Sequence, residues 1–344
     1  MPPSTPHGGD PDTWGPDLSR EIARVAPGRS SSGFYAGAPE PDSVLGDRRS
    51  EQGSEQGGDA AEEPEEIRVI PVRRELSVAI AGFAALLGVG LILGAQTSGP
   101  DARTPYAIVI FGVQLLFVLA WTMAMRPPAA ATVAGVCVVA GLVADYESAT
   151  SASADLLPLL FVGLIGFVLA LAGQAIRAAD RMRVRDSLGT TILLVLGVVF
   201  YPSLIVLTRK PIGTQAVLVC LAAAGLSLVV ARLTDAVFAK PRIAPQVPRG
   251  ATGIILGAMI GTLAAAGLGS VLVLPFTPAK GAILGLVAAG LAGLVDLAVN
   301  YGEAGREMAG QAPTFWLARH MQGPLGSFAL AAPVAYALTV FVLS

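Results

Sequence analysis

Residues 279–300 read Ala279-Lys-Gly-Ala-Ile-Leu-Gly-Leu-Val-Ala-Ala-Gly-Leu-Ala-Gly-Leu-Val-Asp296-Leu-Ala-Val-Asn300. Between Lys280 and Asp296 there is neither a charge nor a proline. A helix rises about 1.5 Å per residue, so a run of this length crosses a hydrocarbon core of about 30 Å. The run is continuously apolar and lacks the period-two alternation of a barrel strand. Eight more such runs lie at 76–96, 105–124, 128–145, 155–176, 188–207, 213–238, 250–275 and 327–343. The expected fold is therefore all-α: a polytopic membrane helical bundle of about nine transmembrane helices.

Composition agrees. Of 344 residues, 53% are hydrophobic and 14% charged, and the mean hydropathy is +0.64. An ordinary soluble enzyme is excluded. No folded basic domain is present, so nucleic acid is not an expected partner.

Charge divides the chain in two. Residues 1–66 carry 14 acidic and 5 basic side chains, whereas residues 67–344 carry 11 acidic and 18 basic. The first stretch is rich in Pro, Gly, Ser, Asp and Glu. It offers too little apolar surface to offset chain entropy, so 1–66 reads as a disordered acidic tail and 67–344 as the transmembrane domain. The tail is a possible lure for a basic cytoplasmic partner, though a solvated tail is the commoner case. The first long apolar run starts near Leu76, too late for a cleavable leader.

Arg68, Arg73 and Arg74 precede that run and are expected on the cytoplasmic side. With the N-terminus inside, 13 basic residues fall in or beside the inner segments and 4 in the outer loops. The expected arrangement is a multi-pass protein of the cytoplasmic membrane, N-terminus inside and C-terminus outside. Gly253, Gly257 and Gly261, then Gly281 and Gly285, recur at four-residue spacing and predict closely packed helices. Cys137 and Cys220 lie in apolar runs and read as small buried hydrophobes. With His7 and His320 the only histidines, a histidine-rich metal site is excluded.

Ionisable groups at membrane depth are costly and point to function. Asp296, Asn300 and Glu303 are spaced i, i+4, i+7 and share one helix face. Two carboxylates and an amide can hold a divalent cation, Mg²⁺ or Mn²⁺, through oxygen. The alternative is a polar helix end at the water interface. Arg232 and Asp235 stand i, i+3 apart and suit a local ion pair, with phosphate binding as the second reading. The loop Lys240-Pro-Arg242-Ile-Ala-Pro-Gln-Val-Pro-Arg249-Gly250 is basic and opens a helix. It suits a phosphate at a helix N-terminus and equally a plain positive-inside loop. Arg177, Arg181 and Arg183 form a basic stripe matched to anionic headgroups.

Two stretches carry a resemblance. Phe238-Ala-Lys-Pro-Arg-Ile-Ala-Pro-Gln-Val-Pro-Arg-Gly250 resembles the F-G-K-H-x-x-A-P-x-x-S-P-K-K-T loop of phosphatidate cytidylyltransferases (CDP-diacylglycerol synthases). Thr277-Pro-Ala-Lys-Gly-Ala-Ile-Leu-Gly285 followed by Gly293-Leu-Val-Asp296-Leu resembles that family's span ending in G-D-L-x-E-S-x-x-K-R. Phe328-Ala-Leu-Ala-Ala-Pro-Val-Ala-Tyr336 is similar to the run after its closing signature. The likeness covers about residues 75–344. It implies a reaction of CTP with phosphatidate that gives CDP-diacylglycerol and diphosphate, with metal ions neutralising the phosphates. Asp296 then falls on a metal-binding aspartate, and Pro248 and Arg249 on the P-K pair.

The chain departs from the pattern elsewhere. No aspartate stands near Ser227-Leu228-Val229, where S-D-T-G is expected, unless a gap brings Asp235 closer. Gly250 replaces the second lysine. Asn300 and Glu303 replace a serine and a lysine. The aspartates of the closing H-G-G-x-x-D-R-x-D fall on Gly323 and Gly326, and His320 matches only with a shift. Two readings follow from the likeness. One is a weakly active or non-catalytic relative that binds lipid or a partner membrane protein. The other is an active CDP-lipid synthase with a site rebuilt from Asp296, Glu303 and Glu307 or Asp235. A small-solute transporter is a third reading, without an internal repeat to support it. The expected ligands are a phosphatidate-like phospholipid and CTP, and a homodimer is one possible assembly.

Overall fold

The computed structural model describes residues 72–98, 103–176, 184–311 and 315–343. The acidic tail 1–66 and the stripe Arg177, Arg181 and Arg183 lie outside the described residues. Ten helices follow in order: α1 Arg74–Gln96, α2 Thr104–Met125, α3 Ala130–Thr150, α4 Leu157–Ile176, α5 Val184–Phe200, α6 Ser203–Thr208, α7 Gly213–Val237, α8 Ala251–Val271, α9 Pro278–Met308 and α10 Trp316–Val342. Among the described residues, nine helical stretches are long and apolar enough to cross a membrane, α5 and α6 together forming one. The all-α bundle and its nine spans are thus as the apolar runs predict.

The differences lie at the helix ends. α9 continues past Asn300 to Met308, and α10 begins at Trp316 rather than near Ser327. Apolar runs stop at the first polar residues, but backbone hydrogen bonding does not. Glu303 and Glu307 on α9 both pair with Arg319 on α10, so these two polar helix ends are fastened to each other. The fifth span breaks at Tyr201-Pro202, because proline brings no N–H to the helix ladder. α9 starts where the residues say it should: Pro278 occupies the first position and the Thr277 hydroxyl accepts from the Lys280 N–H at 3.2 Å.

α7 lies at the centre, packed on α1, α8, α9 and α10. Its contact with α8 is made backbone to backbone. A Cβ placed on Gly253 would stand 2.8 Å from the Ala231 carbonyl oxygen, and one on Gly257 or Gly261 would strike the Ser227 or Ala223 carbonyl. Gly281 and Gly285 bring α9 equally close to α8. The glycine spacing therefore predicts the packing correctly. Hydrogen bonds between helices add to it: Ser227 Oγ donates to the Ala289 carbonyl (3.1 Å), Ser327 Oγ to Ala292 (2.8 Å) and Tyr201 Oη to Leu325 (2.7 Å). Cys137 and Cys220 are both buried and unbridged, in keeping with their apolar surroundings in the sequence.

Contacts sort the connections into two ends. At one end Arg306 donates to the Ala124 carbonyl, and Arg73, Gln246, Glu307 and Arg319 line one cavity. At the other end Arg103 donates to the Ala149 carbonyl at 2.9 Å and Arg209 to Ser148 and Ser151. The first end holds the segments predicted as inner, the second those predicted as outer. Arg103 and Arg209 at the second end thus serve the structure. Their guanidiniums meet the unpaired carbonyls at the C-terminus of α3, where a positive charge is favourable.

Candidate functional site: a buried ion network beside a polar cavity

Four charged side chains meet inside the bundle near the end predicted as inner. α7 supplies Arg232 and Asp235 from one face of its last two turns. The loop after α7 supplies Arg249, directly before α8. α9 supplies Asp296. All are buried: Arg249 and Asp296 are 0% exposed, Asp235 2% and Arg232 7%. Arg249 Nη1 lies 2.8 Å from Asp235 Oδ2, and Arg249 Nη2 lies 3.0 Å from Asp296 Oδ2. Arg232 Nη2 pairs with Asp296 Oδ1. The order is an alternating chain, Asp235–Arg249–Asp296–Arg232, with no net charge. Alternation is what makes its burial tolerable, since an ion taken from water is stabilised only by close counter-charges and hydrogen bonds. Burial, with Arg232 beside it, pulls the Arg249 guanidinium below its ordinary range; Asp296 and Asp235 oppose that.

This arrangement bears on three local readings. Arg232 and Asp235 do not pair with each other along α7. Each reaches across to another element, Arg232 to Asp296 and Asp235 to Arg249. Arg249 does not project into solvent as a phosphate ligand; it turns inward. The N-terminus of α8 does hold an anion, but it is the protein's own: Asp235 Oδ1 accepts the Gly250 N–H at 2.9 Å. The 240–249 loop folds back on itself, with the Ile243 N–H on the Arg249 carbonyl and the Ala251 N–H on the Pro241 carbonyl. Lys240 stays exposed and Arg242 is half-buried, outside the network.

The sequence presents Asp296 as the lone carboxylate of an apolar helix, hence a metal ligand together with Asn300 and Glu303. The three share a face of α9, yet their polar groups do not converge on one point. Both Asp296 oxygens face guanidiniums. The Asn300 amide donates to the Asp296 backbone carbonyl. Glu303 pairs with Arg319, which also takes Glu307. Among the described residues no three His, Cys, Asp or Glu side chains gather as a metal cluster. A divalent cation held by oxygen needs open, anionic donors. The donor set here is already neutralised by arginine and does not fit one.

Two glycines make room for the network. A Cβ on Gly253 would stand 2.7 Å from Asp235 Oδ1, and one on Gly323 of α10 would collide with Asp296 Oδ1. In the sequence Gly323 stands out only as a departure from a family pattern. Its contact with Asp296 depends on how α9 and α10 pack, which no local spacing reveals.

Arg232 also forms part of the wall of a cavity of about 240 Å³. Arg73, Arg319, His320, Asn300, Glu303 and Gln246 share the lining, with Leu76, Ile80 and Trp316 as its apolar part. Arg232 Nε and Gln246 Oε1 have no hydrogen-bond partner among the described residues. The cavity is thus a polar recess in which Arg73, Arg232 and Arg319 share the wall with Glu303 and Glu307, with an apolar part from α1 and Trp316 of α10. From the sequence, Arg319 is no more than one of the inner positive charges. Its place in this wall with Arg73 and Arg232 follows from the early start of α10. Compared with models of known protein families, curated protein sequences and solved structures, the chain matches none.

Proposed function

We propose that this is an integral membrane protein of the phosphatidate cytidylyltransferase lineage that binds a phosphate-bearing lipid without acting on it. It lies in the cytoplasmic membrane with the polar cavity facing the cytoplasm, the orientation favoured by its basic residues. The observation that carries the reading is the pairing of both Asp296 oxygens with guanidiniums. In the family resemblance Asp296 answers to a metal ligand, and the closing signature, which should hold a second, puts its aspartates at positions 323 and 326. Here Gly323 lies directly against Asp296, and the charge opposite Asp296 is supplied by Arg232 and Arg249. The closeness of these two positions supports the lineage. The arginines in place of a metal support loss of catalysis, because a nucleotide's phosphates need a cation that the carboxylates can share.

The cavity supports a lipid phosphate. Arg73 and Arg319 line it, and guanidiniums bind phosphate with directed, charge-assisted hydrogen bonds; on this reading the phosphate takes Arg319 in competition with Glu303 and Glu307. Leu76, Ile80 and Trp316 provide an apolar flank at membrane depth for the glycerol and upper acyl carbons. The purified full-length protein, given radiolabelled CTP, phosphatidate and Mg²⁺, is expected to form no lipid-soluble labelled product. In nanodiscs it should bind phosphatidate saturably. The Arg73→Gln, Arg319→Gln double variant should weaken that binding by about tenfold or more, since a hydrogen bond to a charged group is worth about 1.5–3 kcal/mol. A labelled lipid product would instead establish the active synthase with a site rebuilt around Asp296, Glu303 and Glu307.

A further inference from the structure

We propose that Asp145, oriented by Gln114, forms a proton-binding site inside the membrane-spanning bundle, with the proton on the Asp145 carboxyl group. This site is remote from the ion network and independent of the lipid-binding reading. Asp145 lies in the last two turns of α3, towards the end predicted as outer. It is 4% exposed, Ser148 one turn on is 2% exposed, and Gln114 of α2 is 1% exposed.

The surroundings leave the carboxyl group without a counter-charge. Its one hydrogen bond comes from Gln114 Nε2 to Oδ1 at 3.2 Å, and the same amide nitrogen donates to the Val198 carbonyl at 3.1 Å. Asp145 Oδ2, Gln114 Oε1 and Ser148 Oγ have no partner among the described residues. The elements packed on α3 bring no charge to this level. α2, α4 and α6 contain no Asp, Glu, Lys or Arg, and the charged residues of α5 sit in its first turn. Arg103 and Arg209, at this end of the bundle, direct their guanidiniums at the Ala149, Ser148 and Ser151 carbonyls, one turn beyond. Glu147 on the same helix is half-buried, and Asp155 in the following loop is exposed. Both add negative charge to this end.

A buried carboxylate with neither a paired cation nor a full set of donors neutralises itself. A proton on Oδ2 does so and adds a donor beside the unpaired Gln114 amide oxygen. Gln114 Oε1, a carbonyl oxygen without a donor of its own, is of the type that accepts it. Oδ1 keeps the Gln114 hydrogen bond, so the amide orients the acid. Ionisable side chains held in this way within membrane helices serve proton binding and transfer.

Infrared spectroscopy of the full-length protein in nanodiscs at neutral pH tests this. The expected result is a carbonyl band of a protonated carboxylic acid that shifts in D₂O, showing exchange, and that disappears in Asp145→Asn. Because asparagine resembles the neutral acid, that variant should melt within a few degrees of the parent. Should Asp145→Asn fail to fold, Gln114→Leu provides the readout: loss of its hydrogen bond should move the band to higher frequency. Absence of any such band, its survival in Asp145→Asn, or its removal by Na⁺ would overturn the proposal. The last outcome would make this a metal-cation site instead.

Discussion

Replacing Asp296 by alanine is expected to destabilise the protein by roughly 3–5 kcal/mol, the usual cost of breaking a buried ion pair by removing one partner. Asp296 is the shared acceptor of two guanidiniums, both nearly or fully buried. Without it Arg249 retains Asp235, but Arg232 has no anion within the network. Neither arginine can shed its charge, since the guanidinium does not deprotonate in proteins. Asp296→Asn keeps the shape and one acceptor oxygen, and should cost less than alanine. Arg249→Met should also cost less, because Asp235 keeps the Gly250 N–H and Asp296 keeps Arg232. Equilibrium unfolding in a single detergent would rank the three variants. A loss below about 1 kcal/mol for Asp296→Ala, the range of exposed pairs, would mean that water reaches the network.

Gly257→Leu is expected to be as damaging, through sterics rather than charge. A Cβ at position 257 would fall on the Ser227 carbonyl of α7, and Ala231 lies beside it. Backbone does not rotate aside as a side chain does, so α8 must move off α7. That movement pulls on Gly253 one turn before, against the Asp235 carboxylate, and on Gly261 one turn after. Overpacking a core costs about 1–3 kcal/mol even for added methylenes, and here a whole side chain enters a backbone contact. The expected outcome is loss of monodisperse protein on size exclusion, with Gly290→Leu as control, since nothing lies within 4 Å of its Cβ position.

The two variants mark what the residues disclose by themselves and what they do not. Runs of apolar side chains reveal the spans, because the bilayer imposes length and composition on each helix separately. Glycine spacing reveals that α8 and α9 pack tightly. Asp296 is also visible as a charge out of place in an apolar helix. Its partners are not visible, because Arg232 precedes it by 64 positions and the two meet only once α7 and α9 are packed. Local rules favour i, i+3 pairing and so match Arg232 to Asp235. The actual geometry pairs both across elements, where the low dielectric makes opposite charges matter most. Arg249 misleads for a related reason: basic loops normally face water, and nothing in the loop's own residues shows that it turns inward. Asp145 closes the apolar run 128–145 and reads as no more than its end, while the helix carries on to Thr150 and buries it.

On the proposed reading, arginine in place of a metal at Asp296 is what would separate a lipid-binding relative from a working transferase. Thermal melting of the purified full-length protein with and without millimolar Mn²⁺ or Mg²⁺ tests it directly, because a ligand of the native state raises stability by mass action. With both Asp296 oxygens held by Arg232 and Arg249, the melting temperature should be the same in either solution. A metal-dependent rise that Asp296→Asn abolishes would contradict this and return Asp296 to the role of metal ligand.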